Sequence, residues 1–165
     1  MNARTLTVSW DDPMPGARQA ASMSGREYLA AIMDGKFPAP PIAKLVGFRL
    51  AQVGDGLAVF ECTPGEQHYN PIGVVHGGLA CTLLDSAMGC AVHTTLSAGT
   101  AYTTLEVKVN LVRAITTATG LLRAEGRVIH AGKRMATAEG RLIDSAGKLY
   151  AHGTTTCMVF PQARA

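Results

Sequence analysis

The spacing of hydrophobic positions changes period along the chain. Met1 to Ser24 shows no sustained repeat and reads as an extension. After it, GREYLAAIMDG sets Tyr28, Leu29, Ile32 and Met33 at helical spacing, with Ser24 placed to cap. The run PAPP, Pro38 to Pro41, stops that helix and leads into a second short apolar segment around Ile42 to Val46. Residues 1–44 are therefore expected to form an N-terminal extension and helical arm, ahead of a main domain over 45–161. Phe48 to Val53 and Leu57 to Cys62 flank Gly54-Asp55-Gly56, a hairpin turn signal. From His76 to about Leu96, Leu79, Leu83, Ala87 and Ala91, joined by Ala80, Leu84, Met88 and Val92, make a wide apolar face, which predicts a long buried helix. Thr104 to Val112 then alternates. Leu105, Val107, Val109 and Leu111 fall on one face, Thr104, Glu106, Lys108 and Asn110 on the other, which predicts a strand with one wet face. Three more strands, Leu121 to His130, Met135 to Asp144 and Lys148 to Phe160, are separated by Ala131-Gly132-Lys133 and Ser145-Ala146-Gly147. Links this short join antiparallel neighbours.

Two strands, one long apolar helix and four further strands predict an α+β fold, a mostly antiparallel sheet wrapped around a helix that it buries. A chain of 165 residues, 47% hydrophobic and 16% charged, is enough for one such domain with a sizeable core. The net charge of +3 is too small and too evenly spread for a nucleic-acid surface or a polybasic membrane anchor, so neither nucleic acid nor membrane is expected as a partner. Trp10, Asp11, Asp12 and Pro13 stand where a secretory peptide needs an apolar run, and nowhere do eighteen apolar residues follow one another; a cytoplasmic protein is expected. Cys62, Cys81, Cys90 and Cys157 lack the close pairing of zinc ligands or a redox C-x-x-C and read as reduced, core-type cysteines. His68, His76, His93, His130 and His152 show no ligand spacing either, so no metal is called for.

The stretch NPIGVVHGGLACTLLDSAMGCA, Asn70 to Ala91, carries the candidate chemistry. Between Gln67 and Leu105, Asp85 is the only Asp, Glu, Lys or Arg. A carboxylate in such company is either buried at a cost or put to use. It could be a hydrogen-bonded structural group, or a base or nucleophile made stronger by desolvation among Leu83, Leu84, Ala87 and Met88. Gly77 and Gly78 sit where the helix begins, where amides lack internal partners and the dipole is positive, so both could donate to a carbonyl oxygen brought close. Two glycines can equally serve only to start a tightly packed helix, and Asn70 before Pro71 can be a simple turn residue.

The order of elements, the central helix and the pattern of Asn70, His76-Gly77-Gly78 and Leu84-Asp85 resemble the hotdog-fold acyl-CoA thioesterases of the phenylacetate-degradation type, over about Ser24 to Val159. The resemblance implies hydrolysis of an acyl- or aryl-acyl-CoA to free acid and CoA, with no cofactor. It implies Gly77 and Gly78 as the oxyanion hole, Asp85 as the group that attacks the carbonyl or activates water, and Asn70 as the amide that orients substrate or water. Thr104 matches a residue that holds the water, with Thr103 as the alternative because the loop after the helix leaves the register open by one. His76 then supports the loop more than it performs chemistry.

Gly77 and Asp85 are eight residues apart, ~12 Å along one helix, too far to act on one carbonyl carbon. Two central helices antiparallel about a two-fold axis would bring the amides of one to the carboxylate of the other. The resemblance implies the same sharing, in a homodimer or a pair of dimers. Coenzyme A phosphates need cations and no Walker-type loop is present, so Arg113, Lys133 and Arg134 at strand ends are candidates, although each also reads as a solvated edge or turn charge. Two other functions compete. A hotdog enoyl-CoA hydratase is disfavoured by the lack of an Asp-x-Asn-x-x-His pattern, and a non-catalytic acyl-CoA-binding protein would need an output module, for which the Pro-rich arm offers no helix-turn-helix.

Overall fold

In the computed structural model, which describes residues 2–162, three short helices precede the sheet: α1 (Met14–Ala20), α2 (Gly25–Met33) and α3 (Pro41–Val46). Met1 of the expected arm lies outside the described residues. The stretch before Ser24, expected to be a plain extension, holds α1, whose seven residues are too few for a period to register; its Gly16 is buried against Tyr28 and Phe37. Ser24 caps α2 reciprocally. Its hydroxyl accepts from the Glu27 N–H at 3.3 Å while the Glu27 carboxylate accepts from the Ser24 N–H at 3.0 Å. Leu29 and Ala31 of this helix are buried, whereas Met33, placed with Leu29 on one helical face, is exposed.

The strands follow as expected from their spacing. β1 (Phe48–Gly54) and β2 (Leu57–Cys62) form the first hairpin, and the long helix α4 (Gly77–His93) comes next, ending a turn earlier than the apolar pattern suggested. β3 (Thr100–Leu111), β4 (Leu122–Ala131), β5 (Met135–Asp144) and β6 (Leu149–Pro161) complete a six-stranded antiparallel sheet in the order β1-β2-β4-β5-β6-β3. All eight apolar residues assigned to the helix face are buried, so α4 is the centre of the core. Glycine lets the sheet close on it. Gly126, Gly140 and Gly153 lie side by side across β4, β5 and β6. A Cβ at Gly126 would strike the Ala87 carbonyl, and one at Gly140 would lie 2.9 Å from Met88 Cγ. This is the hotdog architecture, a sheet rolled around one helix. Among the described residues, no helix is long and apolar enough to cross a membrane.

β3 departs from its expected pattern. Thr104 pairs with Cys157 and Glu106 with Thr156, which leaves Leu105 as the extra residue of a bulge. A bulge resets the alternation by one. Val107 and Val109 pack on the core as expected, but Leu105 is 57% exposed, and Thr104 turns inward with Tyr102 instead of sharing a wet face with Glu106.

Candidate active site

Asp85 lies in the middle of α4, half-buried, and Thr104 lies on the strand that crosses it. The Thr104 hydroxyl donates to Asp85 Oδ1 at 3.0 Å. This contact exists because the Leu105 bulge turns Thr104 inward; Thr103, the alternative, is exposed and pairs in register with Met158. The other groups around Asp85 are held neutral at physiological pH. Burial pushes the Cys90 thiol up to about 12 and the Tyr102 hydroxyl well above its ordinary range, and raises Cys157, with the Asp85 charge adding to each shift. Tyr102 packs on the helix where Gly89 makes room, since a Cβ there would sit 3.0 Å from its hydroxyl oxygen. A carboxylate among neutral neighbours, with Oδ1 held by Thr104 and Oδ2 free of it, has the geometry to take a proton or attack a carbonyl.

At the other end of the described site, His76 caps α4. Its Nδ1 accepts from the Gly78 N–H at 2.8 Å, and its own N–H donates to the His68 carbonyl at 2.8 Å. The Gly78 amide, expected as an oxyanion donor, is therefore occupied within the chain. The Gly77 N–H has no acceptor among the described residues and borders a cleft of about 370 Å³ that Asn70 and Arg113 also line. Leu111 roofs the glycine so closely that a Cβ on Gly77 would come within 2.5 Å of its Cδ1. Asn70 Oδ1 accepts from the amides of Ile72 (3.1 Å) and Val74 (3.2 Å), which makes Asn70 the organiser of the loop that leads into the helix.

The site residues thus fall into two groups. Gly77, His76 and Asn70 gather at the helix start; Asp85 and Thr104 lie two turns further on. Arg113 belongs with the first group: it follows β3, its guanidinium donates to the Leu149 carbonyl, and it lies over the Tyr150 ring at 5.7 Å. Lys133 and Arg134, both exposed, stand in the β4–β5 link, next to Met135 and level with Met158 and Thr103. Seven strand steps, roughly 23 Å at ~3.3 Å per residue, separate Thr104 from Leu111, and Arg113 lies two residues beyond, so Arg113 stands at the opposite end of β3 from Lys133 and Arg134. No local pattern foretells Tyr102 or Leu111 at the site. Tyr102 shares a face with Thr104 only once the strand is extended back to Thr100, and Leu111 meets Gly77 by a crossing that no local pattern encodes.

The thioesterase superfamily model matches residues 72–151, the span from the helix-start loop to β6. A conserved protein of Pseudomonas aeruginosa is similar at 32% identity over 74% of this chain and 95% of its own, with a TM-score of 0.69. A phenylacetic acid degradation-related protein of Ralstonia eutropha is 29% identical over 79% of this chain and 98% of its own, with a TM-score of 0.72. A hypothetical thioesterase of Streptococcus pneumoniae, solved with coenzyme A, shares the fold at 23% identity over 70% of this chain and 87% of its own, with a TM-score of 0.63. No curated protein matches the chain. On the fold, the family match and these likenesses, the chain belongs to the thioesterase superfamily, as a hotdog-fold thioester hydrolase of the phenylacetate-degradation type.

Proposed function

We propose that the chain hydrolyses an acyl- or aryl-acyl-CoA to the free acid and CoA in a site shared between two copies. The observation that carries this reading is the Thr104–Asp85 hydrogen bond, which ties down one carboxylate oxygen and leaves the other for chemistry. Asp85 either removes a proton from water, which then attacks the thioester carbonyl, or attacks that carbon itself. The carbonyl oxygen, gaining charge, rests on the Gly77 N–H of the second copy, a donor worth about 10²-fold or more in rate. Where water attacked, collapse of the tetrahedral intermediate breaks the C–S bond, the proton held by Asp85 passes to the departing CoA sulfur, and the free acid forms directly; where Asp85 attacked, the thiolate takes a proton from solvent and water then hydrolyses the Asp85 acyl anhydride to acid and free carboxylate.

Sharing is supported from two sides. The ~12 Å between Gly77 and Asp85 on one helix keeps them off a common carbon. β3 is also an edge strand of twelve residues with Leu105 and Leu111 more than half exposed, a surface that invites pairing with a second copy. Bringing the helix start of one copy to Asp85 of the other would also bring Arg113 toward Lys133 and Arg134 across the interface, where the CoA phosphates could meet all three. The test is thiol release from short, long and aromatic acyl-CoAs by the wild type and by Asp85→Asn, which keeps volume and removes charge. Turnover should fall by about 10³ or more in the folded variant. Near wild-type turnover in Asp85→Asn would make the carboxylate structural, and no turnover of any CoA thioester by the wild type would remove CoA from the reading.

A further inference from the structure

The bulge that turns Thr104 toward Asp85 has a competitor. Tyr102 pairs with Val159 and Val107 with Thr155, so five steps on β3 answer four on β6, and one residue between them must be extra. In the structure that residue is Leu105, which leaves Leu105 more than half exposed and puts a threonine inside. Were Thr103 the extra residue instead, the same two pairs would hold, but Leu105 would lie inside opposite Cys157 and Thr104 would turn out. Burial of apolar surface favours that second arrangement. Something must hold the first. Thr155 is 1% exposed, and its Oγ1 donates to the Glu106 carbonyl, next to the bulge, at 2.8 Å. In a regular ladder the carbonyls lie in the sheet and side chains stand off it, so a bond from a β6 side chain to a β3 carbonyl belongs to the distortion. Thr155 shares its buried face of β6 with Ala151, Gly153, Cys157 and Val159, none of which carries a hydroxyl. Among the described residues the other buried polar side chain is Thr94, whose hydroxyl is spent at the end of α4 on the Ala91 carbonyl. A hydroxyl in such a place costs free energy unless it is bonded, and the Glu106 carbonyl is what Thr155 bonds.

We propose that Thr155 is a positioning residue for the hydrolysis: by holding the Glu106 carbonyl it keeps the bulge at Leu105, and the bulge at Leu105 delivers the Thr104 hydroxyl to Asp85. The role rests on the reading of Asp85 as the reacting carboxylate and deepens it. The path is short. Thr155 bonds the Glu106 carbonyl, Glu106 follows the extra residue Leu105, and Thr104 on its other side donates to Asp85 Oδ1 at 3.0 Å. Without the Thr155 hydroxyl, the carbonyl beside the bulge loses its side-chain donor and nothing offsets the gain from turning Leu105 inward. The extra residue then moves toward Tyr102, Thr104 leaves the core, and Asp85 loses the contact that fixes one of its oxygens. Thr155 touches neither substrate nor carboxylate in this account. It acts through Thr104.

The test is kcat and KM for thiol release from the CoA thioester that the wild type turns over fastest. Thr155→Val keeps the branched shape and removes the hydroxyl; its kcat should fall by about tenfold or more with KM changed by less than about twofold. Thr155→Ser, which restores the hydroxyl, should return kcat to within about threefold of wild type. Since Thr155 acts through Thr104, the double variant Thr155→Val/Thr104→Val should be within about twofold of Thr104→Val alone. Thr156→Val removes the other β6 hydroxyl that meets Glu106, an exposed contact to its carboxylate at 3.3 Å, and should leave kcat unchanged. Thr155→Ala carries the same comparisons if the valine variant fails to fold. Wild-type kcat in folded Thr155→Val or Thr155→Ala, losses that multiply in the double variant, or an equal loss in Thr155→Ser or in Thr156→Val each overturn this role, while an inactive Asp85→Asn leaves the reading of Asp85 standing. Near wild-type turnover in Asp85→Asn, or none of any CoA thioester by the wild type, overturns that reading and this role with it.

Discussion

Asp85 owes its prominence to what surrounds it in one dimension and in three. Along the chain it stands alone between Glu66 and Glu106, a gap in the charge pattern that any reading of the sequence detects. In space its companions Cys90, Cys157 and Tyr102 are all pushed toward their neutral forms by burial. The same burial sorts the cysteines. All four are free; Cys62 and Cys157 are buried, and burial lifts Cys62 to about 11, but Cys81, expected in the core, is exposed on α4. Since the thiolate is the reactive form, iodoacetamide at pH 7.5 should label Cys62, Cys90 and Cys157 slowly, and Cys81, which shares a face of α4 with Gly77 and Asp85, at least tenfold faster in the dissociated chain at low concentration than in the proposed two-copy assembly, read by peptide mass spectrometry. Comparable labelling of Cys90 in the native protein would mean that the helix opens around Asp85. At this scale the sequence revealed residue types and not their partners. Asp85, Gly77 and Asn70 were legible because charge, glycine and Asn-Pro are local signals. Thr104 could not be separated from Thr103, because the choice depends on a bulge at Leu105 that pairing with β6 creates.

The elements were legible where the apolar period is long, as in α4, and where turn residues punctuate it, as at Gly54-Asp55-Gly56. α1 and the bulges were not, since seven residues hold no period and a bulge is a property of two strands. The row of Gly126, Gly140 and Gly153 carries a cost if filled. Gly126→Ala would drive a methyl into the backbone of α4 at Ala87, and overpacking of this kind destabilises by about 1–3 kcal/mol. The urea midpoint should fall with the slope unchanged. A midpoint equal to wild type would show that sheet and helix can separate locally without loss. The end of α4 adds a pH dependence. His93 lies between the rings of Tyr28 and Tyr102, and burial lowers its pKa below the ordinary value. Below about pH 6.5 the unfolded chain therefore binds a proton that the folded chain resists, so this contribution to stability is complete above that pH and declines as pH falls, by at most ~1.4 kcal/mol per unit. Urea midpoints measured from pH 7.5 to 5.5 should drop more steeply for the wild type than for His93→Phe. Parallel slopes would remove His93 from the account.

At the scale of the whole molecule, the question is why the glycine proposed to bind the oxyanion and the proposed reacting carboxylate share a helix yet cannot share a carbonyl. The proposed answer is a second copy, and it can be tested without a structure of the complex. Asn70→Ala should be nearly inactive alone, because Asn70 Oδ1 holds the amides of Ile72 and Val74 and with them the loop that delivers Gly77. Asp85→Ala should be inactive because both sites lose their carboxylate. When the two variants are refolded together, one composite site of each mixed dimer collects both lesions, and the other joins an intact Asn70 loop from one chain to an intact Asp85 from its partner. Free assortment makes half the dimers mixed, each with one good site of two, so thiol release should recover to about one quarter of wild type. A site built within one chain recovers nothing, since every chain in the mixture carries a lesion. Mass spectrometry of the refolded sample establishes that mixed dimers are present, and their presence without recovered activity would leave Gly77 and Asp85 on α4 with no common substrate, so that the shared oxyanion hole would have to be abandoned while the Thr104–Asp85 pair stood.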